Sequence, residues 1–66
     1  MTPSQEKALK NAQSYSSYKS HYMKDKNLVI DCETEHNDMK IPYTLVIGPR
    51  GGKQHLQFID GKWKVM

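Results

Sequence analysis

The sequence predicts an α+β domain in which one N-terminal amphipathic helix packs on a four-stranded antiparallel meander sheet, in the order α-β-β-β-β, with residues 1–66 forming a single small unit. Three observations carry that expectation. Apolar residues recur with a helical period up to Met23, and they alternate with polar ones in four short runs from Leu28 onward. Residues suited to chain reversal separate each run from the next.

The helix is expected from residue 3 to about residue 24. Thr2 can cap its first turn, Pro3 stands where a missing N–H costs nothing, and Gln5 follows Thr2 by three positions, as in a capping box. Glu6 near the start and Lys24 and Lys26 near the end suit the helix dipole. On a helical wheel Ala8, Leu9, Ala12, Tyr15, Tyr18, Tyr22 and Met23 gather on one half. Lys7, Lys10, Ser14, Ser17 and His21 take the other, and Lys19 interrupts the apolar arc, its stem lying along it. The tyrosines then cover a sheet edge with their hydroxyls in water, or present a patch for another protein.

The first strand sets Leu28, Ile30 and Cys32 on one face and Asp31, Glu33 and Glu35 on the other. Ile41, Tyr43, Leu45 and Ile47 alternate in the second, Leu56 and Phe58 in the third, and Trp63 and Val65 in the fourth, which is expected to run to Met66. The connections are Asn37 to Lys40, Pro49 to Gly52, and Asp60-Gly61, the last a strong signal for a tight hairpin. Tight turns throughout would set Cys32 opposite Leu45, Leu45 opposite Leu56, and Leu56 opposite Val65. Tyr43, Phe58 and Trp63 would then share the helix side. Pro42 has no N–H to donate, so a bulge or frayed pairing is expected beside it.

A chain this short buries only about 60% of the surface its unfolded form exposes, so tight packing or self-association must supply stability. Cys32 is the single cysteine, which rules out an intrachain disulfide and any zinc framework needing two. No cofactor or metal is expected. No basic stretch leads into an apolar run at the amino terminus, so no signal peptide is expected. No apolar segment approaches the roughly 20 residues of a membrane span, so no membrane partner and a cytoplasmic location are expected. The net charge of +3 is a mild lean toward anionic partners.

Residues suited to catalysis do not assemble. Cys32 and His36 lie about 13 Å apart on an extended strand, too far for a thiol–imidazole pair. Asp31, Glu33 and Glu35 have a glycosidase-like spacing of about 6.6 Å but stand on an open sheet with no wall to raise a pKa. Ala8–Ser16 resembles the opening of a short helical repeat of some surface lipoproteins, without the rest of that repeat after Met23 and with no implication for function.

The expected function is therefore non-enzymatic docking to another protein. The contacts would be Val29, Val46, His55, Gln57 and Ile59 on the sheet face away from the helix, with the helix rim at Tyr18 and His21 as second choice. A compact accessory protein of a phage or mobile element would have this size. One alternative is sequence-tolerant nucleic-acid binding through Arg50, Lys53, Lys62 and Lys64, with Tyr18 to stack on a base. The loop from Arg50 to Lys53 could cradle a phosphate with its amides, although it is no P-loop. Aromatics turned into the core count against that alternative. Another is a homo-oligomer whose assembly is its role.

Overall fold

The computed structural model describes residues 1–65; Met66, the expected end of the closing strand, lies outside the described residues. One helix, α1 (Pro3–Gln13), precedes five strands: β1 (Tyr18–Lys24), β2 (Asn27–His36), β3 (Met39–Ile47), β4 (Lys53–Ile59) and β5 (Lys62–Val65). The strands form one antiparallel sheet in the order β1-β2-β3-β4-β5. The α+β class and the meander are as predicted, but the sheet has a fifth strand and the helix is half the predicted length.

The start of α1 is the predicted one. The Gln5 N–H donates to Thr2 Oγ1 at 3.3 Å, and the Thr2 N–H donates to Gln5 Oε1 at 3.0 Å. The end comes at Ser14, whose hydroxyl donates to the Asn11 carbonyl at 2.6 Å. Serines compete with a helix for backbone groups, and three of them lie between Ser14 and Ser17. Beyond them, Tyr18, Ser20 and Tyr22 fit a period of two as well as the helical one. The strand wins because β2 would otherwise be left with an unpaired apolar edge at Leu28–Ile30. A bulge at Lys19 shifts the register, so Tyr18 lies opposite Cys32 while His21 lies opposite Ile30.

Three connections are two-residue turns with positive φ at both positions: Asp25-Lys26, Asn37-Asp38 and Asp60-Gly61. Such turns match the twist of the strands they join. A lysine seldom adopts φ of 67°; Lys26 is held there by the Gln5 amide, which donates to its carbonyl at 2.8 Å. The Asn37-Asp38 turn is two residues shorter than the predicted connection. Cys32 therefore lies opposite Tyr43 and Ile30 opposite Leu45, a shift of two that keeps every side chain on its face.

The β3–β4 connection breaks the parity. Gly48 N–H donates to the Gly52 carbonyl at 2.8 Å, and Gly51 N–H donates to the Gly48 carbonyl at 2.9 Å. Those bonds leave a three-residue loop, Pro49-Arg50-Gly51, closed by Gly51 at φ 94°. Leu45 consequently faces His55, and Leu56 faces Thr44. The expected pairing of Leu45 with Leu56 is wrong by one residue, which turns all of β4 and β5 over. Within that hairpin the pairs Leu56–Val65 and Phe58–Trp63 are as predicted. The β3–β4 ladder runs from Ile47 only to Tyr43, stopping short of Pro42 as its missing donor requires.

The core lies under α1. Leu28, Ile30, Cys32 and Ile47 are sealed against Ala12, with Ala8, Leu9, Tyr18, Tyr43 and Leu45 packed around them. Gln5 is buried too, and its second amide bond, to the Ile47 carbonyl at 3.0 Å, ties the helix to the end of β3.

Candidate docking surface

The sheet has a helix face and an open face. Alternation and the observed register put Tyr22, Val29, Val46, Leu56, Phe58, Trp63 and Val65 together on the open face. A shallow depression of about 500 Å³ runs across it, lined by Tyr22, Asp31, Thr44, Val46, Leu56 and Trp63 among others. Three aromatics of the open face stand in solvent: Tyr22 is 49% exposed, Phe58 40% and Trp63 51%. The Phe58 and Trp63 rings meet at 5.4 Å between centroids, tilted by 60°, within the favourable range for an aromatic pair.

Beside this apolar row runs a carboxylate row on β2. Asp31 accepts a hydrogen bond from Thr44 Oγ1 at 3.1 Å. Glu33 pairs with Lys19 at 3.2 Å and Lys40 at 4.0 Å. These exposed pairs contribute little to stability, but they offset the acid of the open face.

Val29 and Val46, predicted as contacts, lie on the open face directly opposite one another, with Val29 already buried. His55, Gln57 and Ile59, predicted beside them, are on the helix face, because the three-residue loop reversed β4. Phe58 and Trp63, predicted in the core, are exposed for the same reason. Tyr18 is no helix-rim residue: it packs on the core from β1, and its hydroxyl shares a hydrogen bond with His21 Nδ1 at 2.7 Å. Lys53, Lys62 and Lys64 extend from the helix face, and Arg50 sits in the β3–β4 loop. The predicted cations and the exposed aromatics thus lie on opposite sides of the sheet. Tyr22 is on the surface as one reading of the tyrosines had it, from a strand rather than a helix, whereas Leu56, Phe58, Trp63 and Val65 were missed as surface residues. The signal for them was Gly48-Pro49 followed by Gly51, a three-residue reversal with proline first and glycine where φ is positive.

A second depression of about 270 Å³ lies between α1 and the β3–β4 side of the sheet, lined in part by Asn11, Tyr15, Tyr43, Lys53 and His55. Tyr43, one of its lining residues, shares a hydrogen bond of 2.6 Å with Ser17. Burial pushes the Cys32 thiol up from its ordinary range, and burial raises the Tyr43 phenol likewise. A thiol kept protonated is a poor nucleophile. His55 packs on the Tyr43 ring at 4.9 Å, and its Nε2 is closed to solvent with no hydrogen-bond partner among the described residues. Among the described residues no three His, Cys, Asp or Glu side chains cluster as metal ligands, and no helix is long and apolar enough to cross a membrane.

Comparison of the chain with protein-family models, with curated proteins and with solved structures finds no match in any of the three.

Proposed function

We propose that this chain is a non-catalytic docking protein that binds another protein through the open face of its sheet, with Trp63, Phe58 and Tyr22 as anchors. The observation that carries the proposal is the placement of three aromatics in solvent on the side of the sheet that has no helix. Aromatic side chains bring large contact area at low entropic cost and dominate the energetics of protein interfaces. Leu56, Val46 and Val65 extend the same surface, and the hydrogen-bonded Asp31 and paired Glu33 on β2 add polar groups between Tyr22 and the aromatics of β4 and β5. A single free cysteine fits a reducing, cytoplasmic setting.

Nucleic-acid binding is supported less well. Stacking aromatics are now exposed, which that function needs, but they share a face with Asp31, Glu33 and Glu35 rather than with the lysines. The test is affinity capture from cell extract with the native chain and with a Phe58→Ser, Trp63→Ser double variant. Specific proteins retained by the first and lost with the second are the expected result; equal retention overturns the proposal. Oligonucleotide binding that weakens steeply with salt, and is lost when Lys53, Lys62 and Lys64 are neutralised, would establish the other function instead.

A further inference from the structure

We infer, building on the docking role just proposed, that the first protein to occupy the open face is a second copy of this chain, packed sheet on sheet as a two-fold dimer. The surface area points there. The monomer exposes 5010 Å², whereas a folded chain of 7.7 kDa exposes roughly 4,300 Å². The excess of about 700 Å² is close to the roughly 800 Å² that each partner contributes to a stable interface of standard size. The radius of gyration agrees: 12.0 Å, against roughly 10.8 Å for a compact domain of this length.

The shortage of cover belongs to every copy of the chain. The sealed apolar core beneath α1 is small, there is no disulfide, and no metal-ligand cluster exists among the described residues. Association with a second copy is one of the few ways left for a domain of this size to gain stability. A second copy is also the one partner present wherever the chain is present.

The face is complementary to itself. A two-fold axis running along β4 between the two sheets lays β4 on its counterpart and β3 on the β5 of the other copy. The observed register then decides what meets. Leu56 lies level with Thr44 and Val65, and Phe58 lies level with Trp63. Leu56 therefore meets Leu56, Thr44 meets Val65, and Phe58 meets Phe58 with Trp63 beside it over the Pro42 end of the other copy's β3. β2 and β1 fall outside the overlap, so Asp31, Glu33 and Glu35 stay in water, as does Tyr22, and the dimer is held by the β4 and β5 part of the face alone. The contact is isologous and ends at the dimer, and sheets packed this way lie about 10 Å apart. Pairing through the sheet edges is the weaker arrangement. The bulge at Lys19 interrupts one edge and Lys62 and Lys64 flank the other, both devices that discourage strand addition.

Sedimentation equilibrium of the intact chain tests this, over about 0.1 to 100 μM, the weak end of the range for interfaces of this area. The mass should rise from 7.7 kDa toward twice that value, with a parallel blue shift of emission from Trp63, the sole tryptophan. Trp63→Glu should weaken the dimer by about 30-fold or more, the loss typical of an interface anchor. Lys64→Glu, on the helix face, should leave it within about threefold. Circular dichroism reports whether each variant is folded, and Val65→Lys substitutes if Trp63→Glu is not. A constant monomer mass overturns the inference while leaving docking to other proteins intact, because Trp63-dependent capture tests that separately. A dimer indifferent to Trp63 and Val65 but sensitive to Lys64 also overturns it, in favour of edge pairing.

Discussion

The two faces of one sheet meet opposite fates. On the helix face Leu28 and Ile30 are completely sealed, and Ile47 nearly so. On the open face the larger Tyr22, Phe58 and Trp63 stand about half in water. Hydrophobicity does not separate them; cover does. The 11-residue helix α1 is about 16 Å long, enough to roof β2 and the end of β3 but nothing beyond. β5, with every described position exposed, therefore contributes a surface rather than a core.

That contrast can be broken from the buried side first. Ile30→Ala should cost about 2–5 kcal/mol, because it leaves a cavity beneath the helix. A domain of this length has roughly 3–10 kcal/mol in all, so the variant should be substantially unfolded in mild urea by circular dichroism. Gln5→Ala should follow at about 1–3 kcal/mol, since it strands the carbonyls of Lys26 and Ile47 and removes half of the capping box. Backbone amide exchange should then accelerate in α1 before it does in β3. Trp63→Ser sharpens the comparison at the small end. In dilute solution, where copies are apart, its unfolding free energy should fall by only about 1 kcal/mol, the share of the ring contact with Phe58. A loss as large as that of Ile30→Ala would mean that Trp63 is a core residue after all.

Local chemistry was legible wherever it concerned neighbours in the chain. Thr2, Pro3 and Gln5 announced the start of α1, and Asp60-Gly61 announced the last hairpin. Gln5 was legible as a cap but not as a tie, because Lys26 and Ile47 lie 21 and 42 positions away from it. The stretch from Tyr15 to Met23 was read as helix because tyrosines spaced by three and four satisfy that period. It is largely strand because β2 supplies a ladder for it, and no local pattern contains that information. The residues proposed for docking suffered most. Val29 and Val46 were found on the correct face, while His55, Gln57 and Ile59 exchanged sides with Leu56 and Phe58.

By itself, the sequence determined the class of the fold, the meander, the alternation within each strand and the pairing inside the β4–β5 hairpin. All of these follow from side-chain period and turn chemistry, which act over a few residues. Tertiary structure decided which face β4 and β5 present. That choice rests on whether Gly48 bonds to Gly52 or the loop is one residue longer, a difference of one backbone bond. Since side chains alternate strictly along a strand, that single bond turned Phe58 and Trp63 from the helix to the open face.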